Sequence, residues 1–337
     1  MKMLNRIKSF FTFVISVFNR PLFYYRLHHY MNTPVTEKKA IRFREKNKHS
    51  YRFKDVSFFD IATYDYSGQA VHPHCLCYGG KTWLVLTPYP YGMEEYENPC
   101  IYFGNSIDEL NEYTGNPIAV QSKRTQGIHL SDPVLFVFND KLYCCYRSTE
   151  KKESDLVNNI LYKEIINREN NLFLSEEKQF LSSKDNQLLS PAFFTYDNNL
   201  YLMFPDYFNS NNSLLVYRVN ECLAVKDSFV MKCKNVTDGY GIWHIDVKND
   251  DNQIKGLFLL KDTKRGKVFK LYLARLIEFK KGIWELESEI VISKNIERIK
   301  MHLYKSTFIP NTKEILLSLK DKKSRYHLIK LGGIEYD

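Results

Sequence analysis

Val71–Tyr89, VHPHCLCYGGKTWLVLTPY, reads as a strand, a tight Gly-Gly-Lys turn and a second, more apolar strand. The same reading recurs from Leu130 (LSDPVLFVFNDKLYCCYRST), Leu189 (LSPAFFTYDNNLYLMFPDY), Trp243 (WHIDVKNDDNQIKGLFLLKD) and Met301 (MHLYKSTFIPNTKEILLSLKD), with NDK, DNN, DDNQ and PNTK at the turns. Aligned on Pro73, Pro133, Pro191, Ile245 and Tyr304, successive copies lie 54 to 60 residues apart. Further strand-like runs, NPCIYFGNS, NNILYKEII, SLLVYRVN and VFKLYLARLI, fill the intervals. Five units of about four short strands each predict an all-β chain folded as a five-bladed β-propeller.

Composition agrees. The 337 residues are 44% apolar and 26% charged, which excludes a chain disordered over most of its length. With 24 Tyr and 23 Phe against 3 Trp, the aromatic content suits pleated, half-buried surfaces. No run approaches the roughly 20 apolar residues of a membrane-spanning helix. The seven cysteines are odd in number and lack the CxxC spacing of a zinc site, so they read as reduced, mostly core residues of a reducing compartment.

The net charge of +9 is uneven: residues 1–54 hold 13 Lys or Arg against Glu37 and Glu45, leaving the remainder nearly neutral. A nucleic-acid-binding body is therefore not expected. Within the basic segment Leu4, Ile7, Phe11, Val14 and Phe18 recur at helical spacing, and Pro21 is expected to end or kink that helix. The stripe fits an amphipathic helix lying on an anionic membrane through residues 1–30, and the alternatives are a helix packed on the body or an export signal. The division expected is 1–50 for this segment and 51–337 for the propeller, placed in the cytoplasm against the inner face of the membrane.

Propeller geometry turns the repeat into a site map, because the first strand of every blade lines the central channel. The starts of those strands are polar: His72 and His74, His129, Ser131 and Asp132, Ser190, His244 and Asp246, His302 and Lys305. Burying such groups without purpose is unfavourable, so their convergence marks the candidate site. Glu97 enters from a later part of blade one. Arg147 (in YRST) and Lys305 (in YKST) bring cations towards the channel mouth, suited to an anionic group.

The five copies, with SDP at Ser131–Pro133 and YENP at Tyr96–Pro99, resemble the five-bladed propeller glycosidases of glycoside hydrolase families 43, 32 and 130 and their relatives over roughly residues 56–335. The resemblance implies an Asp at the start of blade one, an Asp in a DP motif in blade two and a Glu in blade three. Asp132 matches the second. His72 or His74 stands at the first and Ser190 at the third, so a carboxyl pair would have to be assembled otherwise, for example from Glu97 and Asp132.

Two enzyme classes follow. The first is a transferase moving a sugar or phosphosugar from a phosphorylated or nucleotide-activated donor to a membrane-linked glycan acceptor. In it Asp132, His72, His244 and Asp246 are the catalytic candidates, and His74, Glu97, His129, Arg147, Ser190, His302 and Lys305 bind substrate. The alternative is a glycoside hydrolase on the family pattern. A non-catalytic glycan-binding propeller is the third reading. The sequence names no cofactor, and a divalent cation between Asp132 and Asp246 is left open. Asp132→Asn is expected to abolish turnover and largely spare the fold.

Overall fold

The computed structural model describes residues 20–31, 36, 56–120, 129–152, 155–168, 171–184, 188–207, 209–250, 253–266, 269–291 and 301–333. A helix, α1 (Arg20–Tyr30), and a short strand, β1 (Val56–Phe59), precede the first repeat. Blade one comprises β2 (Ala70–Tyr78), β3 (Lys81–Pro88), β4 (Cys100–Gly104) and β5 (Leu110–Glu112). Blade two comprises β6 (His129–Phe138), β7 (Lys141–Lys152), β8 (Asp155–Arg168) and, beyond an extra short strand β9 (Asn171–Leu174), β10 (Lys178–Ser183). Blade three runs β11 (Ala192–Tyr196), β12 (Asn199–Pro205), β13 (Ser213–Val219) and β14 (Val225–Lys234). Blade four follows with β15 (Tyr240–Asp250), β16 (Gln253–Asp262), β17 (Phe269–Glu278) and β18 (Ile283–Glu289). Blade five has β19 (His302–Phe308), β20 (Ile315–Lys320) and β21 (Tyr326–Leu331). The innermost strands β2, β6, β11, β15 and β19 touch in turn, and β19 returns to β2, closing the ring.

Closure is not made by five self-contained blades. The fourth strand of blade five is β1, paired antiparallel with β21 from Val56↔Leu331 to Phe59↔Leu328, so the two ends of the propeller share one sheet. Blades three and four are also joined at their outer edges, where β14 and β18 pair in parallel over Lys232–Lys234 and Ile283–Glu285. That pairing covers two edges that would otherwise stand open.

Strand periodicity places the core between blades rather than within them. Along β3, Trp83 and Val85 face blade two, whereas Leu84 and Leu86 face blade five. Along β16, Leu257 and Leu259 join the interface with blade five, while Phe258 and Leu260 join the one with blade three. The interface of blades two and three holds Val134, Phe136, Phe193 and Leu202. Each second strand therefore reads as a continuous apolar run, as Trp83–Leu86 and Leu142–Tyr146 do, all buried. All seven cysteines are free; five are buried, with Cys77 and Cys222 exposed.

The amphipathic stripe Leu4–Phe18 lies outside the described residues, as does most of the segment 1–50. Pro21 does not end the helix that is described. It occupies the first turn of α1, where no backbone N–H is needed. α1 packs on the propeller through Leu22 and Tyr25, which are buried with Tyr91 and Met93. Its Tyr25 ring meets Tyr91 at 5.7 Å and Tyr96 at 6.1 Å. No described helix is long and apolar enough to cross a membrane.

Candidate functional site

The starts of the innermost strands share a backbone device. In blade one the pairing of β2 with β3 jumps from Val71 to His74, and in blade two that of β6 with β7 jumps from Ser131 to Val134. Each jump is a β-bulge that spends a residue-proline pair, His72-Pro73 or Asp132-Pro133. His72 (φ 53°), Asp132 (φ 52°) and the corresponding Ser190 (φ 49°) take the left-handed conformation. For residues other than glycine this conformation is unfavourable by about 1–3 kcal/mol and accompanies functional sites. Blades four and five bulge at Trp243 and Tyr304. The fourth repeat therefore registers on Trp243, not on Ile245; with no proline there, the sequence alignment slipped by two residues.

The bulges bring an upper layer of polar groups together. Asp132 is its centre: Lys305 Nζ lies 3.1 Å from Oδ1, and Arg147 Nε donates to Oδ2 at 3.1 Å. Lys305 also donates to the Ser190 hydroxyl, so a cation stands beside the position where the family resemblance implies a glutamic acid. Arg147 further donates to Ser131 Oγ (2.9 Å), Thr149 Oγ1 (3.0 Å) and Asn158 Oδ1 (3.2 Å). His72 stands between two carboxyl groups, with Nδ1 at 3.2 Å from Glu97 Oε1 and Nε2 at 3.5 Å from Asp132 Oδ1. Its Nδ1 is also 2.9 Å from Thr87 Oγ1. Glu97 is held by its backbone carbonyl, which accepts from Leu130 N at 3.3 Å.

This layer is buried, and burial separates its two carboxyl groups. Burial and then the neighbouring Asp132 push Glu97 well above the usual carboxylate range, so it keeps its proton. Burial also acts to raise Asp132, but the Lys305 and Arg147 cations, with the hydrogen bond from Lys305, outweigh it and hold Asp132 well below 3.8. Burial takes His72 down to about 3 and His129 to about 4, leaving both imidazoles neutral at pH 7. Environments that push two carboxyls apart in this way divide them into an acid and a standing anion.

A second layer lies one step further along the strands. His74 Nδ1 accepts from Leu135 N at 3.1 Å, and its Nε2 lies 3.3 Å from Asp246 Oδ1. Asp246 Oδ2 accepts from Phe308 N at 2.8 Å, and His244 Nε2 donates to Ser306 O at 2.7 Å. These contacts link blade one to two, one to four and four to five across the channel. Asp132 and Asp246 thus belong to different layers, each facing protein donors. His302 is exposed at the first residue of β19 and does not join the convergence. Thr87, Thr149, Asn158 and Trp243 are the participants that sequence reasoning missed. Thr149 sits two residues beyond Arg147 on the same face of β7, a signal that strand alternation could have supplied.

The fold and this cluster define a five-bladed propeller with a polar channel end. No protein-family model and no curated protein sequence matches the chain. Among solved structures it is similar to an N-acetylgalactosamine deacetylase from F. plautii, crystallised with blood group B trisaccharide. The TM-score is 0.62 at 14% identity, covering 83% of this chain and 93% of that one. A xylan β-1,4-xylosidase from Bacillus halodurans C-125 gives 0.58 at 11% identity over 77% of this chain and 52% of that one. An endo-arabinase from Bacteroides thetaiotaomicron VPI-5482 gives 0.53 at 11% identity over 83% and 99%. At these identities the likeness shows the fold, the one that the sequence resemblance implied.

Proposed function

We propose that the protein is a carbohydrate-active enzyme of the glycoside-hydrolase type, acting at the upper layer of the channel with Glu97 as proton donor. One observation carries the reading: Glu97 and Asp132 meet the two nitrogens of the same imidazole, and burial pushes the first carboxyl up while Lys305 and Arg147 hold the second down. The two carboxyl groups are thus held apart by the width of one imidazole, with contacts of 3.2 and 3.5 Å on its two nitrogens. Glu97 would protonate the departing glycosidic oxygen. Asp132 would oppose the positive charge that develops on the sugar ring and take the proton of the attacking water, with His72 holding the two carboxyl groups apart.

Glycosyl transfer from an activated donor has less support. It needs cations directed at a leaving phosphate, yet Arg147 spends its donors on Asp132, Ser131, Thr149 and Asn158, and Lys305 is shared between Asp132 and Ser190. Solved structures of the same fold include a xylosidase and an arabinase. Attachment to the inner membrane face through residues 1–30 is kept as part of the proposal. Loss of binding to anionic vesicles on deleting residues 1–30 tests it, and equal binding of the shortened chain would refute it. The enzymatic reading is tested by incubating the full chain with aryl glycosides and plant and bacterial oligosaccharides. Release of reducing sugar or aglycone supports it, and an inert protein across the panel overturns it.

A further inference from the structure

Beside the Glu97–His72–Asp132 group lies a corner whose charge is not balanced. Lys261, at the end of β16, sets Nζ 3.6 Å from the centre of the Trp243 ring, and Lys305 Nζ is 5.8 Å from the same ring. Lys261 is half-buried and also faces Tyr207 at 5.4 Å. Among the described residues it forms no ion pair with a carboxylate. The adjacent Asp262 instead accepts from the backbone N–H groups of Lys264 and Arg265, both at 2.8 Å. The side of the indole is fixed by Tyr207, whose ring packs edge-on at 5.2 Å. Gly241 leaves room for it, since a Cβ there would come within 3.0 Å of the Tyr207 ring. Trp243 Nε1 is buried with no hydrogen-bond partner.

Lys305 and Arg147 share the Asp132 carboxylate, Lys261 has no carboxylate partner among the described residues, and the exposed Glu94 is the further acid facing Arg147. Burial lowers Lys261 from 10.5, and the charge of Lys305 near the same ring lowers it further. An orphaned indole donor between two such cations lacks an acceptor that carries negative charge. Resting on the hydrolytic reading above, we infer that the corner of Lys261 and Trp243, with Lys305 held behind it on Asp132 and Ser190, binds an anionic substituent, a carboxylate or phosphate, borne by the sugar. The substrate class is then a uronate-containing or phosphorylated glycan rather than a neutral one.

The test is binding by the full chain, read as thermal shift and by calorimetry. Its ligands are glucose and galactose, the corresponding uronates and 6-phosphates, and inorganic phosphate. The charged sugars should bind at least about tenfold more tightly than the neutral ones, the effect of one charge-assisted hydrogen bond. Lys261→Met, which keeps the packing on Trp243, should remove that preference while its urea midpoint stays at the wild-type value. Equal binding of neutral and charged sugars overturns the inference, as does an unchanged preference in Lys261→Met. Equal response to inorganic phosphate and sugar phosphate also overturns it, since the corner would then take an ion and not a sugar. Hydrolysis of neutral glycosides without charge preference would sink this inference alone; preferential binding of charged sugars without any hydrolysis would sink the hydrolytic reading alone.

Discussion

Lys305, carried by blade five, places its ammonium nitrogen 3.1 Å from Oδ1 of Asp132 in blade two. The pair bridges blades that are not neighbours in sequence, and both groups are buried. With Arg147 on Oδ2, Asp132 is, among the described residues, the one carboxylate of this layer paired with two buried cations.

Asp132→Asn would leave those cations without an anion. Breaking a buried ion pair from one side costs about 3–5 kcal/mol. The variant should therefore unfold at clearly lower urea concentration, contrary to the sequence expectation that the fold is spared. Adding Lys305→Met should recover a large part of the loss. A single variant within about 1 kcal/mol of wild type contradicts the central place given to Asp132.

His244 is buried, donates through Nε2 to Ser306 O and is held at about 3. Burial is the main cause, followed by Lys305. Its folded pKa lies below the ordinary 6.5, so between pH 6.5 and about 3 the unfolded chain binds one proton more than the native one. Stability must fall on acidification across that window. His244→Gln keeps a donor for Ser306 and cannot titrate. Its stability should then depend on pH less steeply than wild type by about 1.4 kcal/mol per pH unit near pH 5. Parallel stability curves for the two proteins would contradict the assignment.

Tyr25 of α1 fills a pocket made by Tyr91, Met93 and Tyr96, the turn that leads directly into Glu97. Tyr25→Ala should lower stability by about 2–4 kcal/mol, as for other large buried side chains. Unchanged stability in urea would mean that the helix is not docked in solution.

The blades were legible in the sequence because their signals are local: alternating strands, Gly/Asn/Asp turns and a proline at three of the five innermost strand starts. The polar strand starts were legible for the same reason, since a repeat carries equivalent positions to one end of the channel. Partnership was not. Lys305–Asp132 and His74–Asp246 join distant repeats, and only ring closure decides which side chains meet. Two histidines of one strand also part company: His72 faces the upper carboxyls and His74 the lower one, Asp246, a consequence of the bulge at His72-Pro73. The strand β1 was missed because VSFF is too short to announce a partner, which proves to be the far end of the chain.

The most direct measurement of the central claim is the rate of glycoside hydrolysis by Glu97→Gln relative to wild type, followed across pH. Gln fits the space of a neutral carboxyl, so the fold should stay within about 1 kcal/mol of wild type. Loss of the proton donor should reduce the rate about 10²–10⁴-fold. Wild-type activity should decline as pH rises through the raised pKa of Glu97, because the acid must carry its proton, and the variant should lack that limb. A folded Glu97→Gln protein that hydrolyses at the wild-type rate would contradict the account.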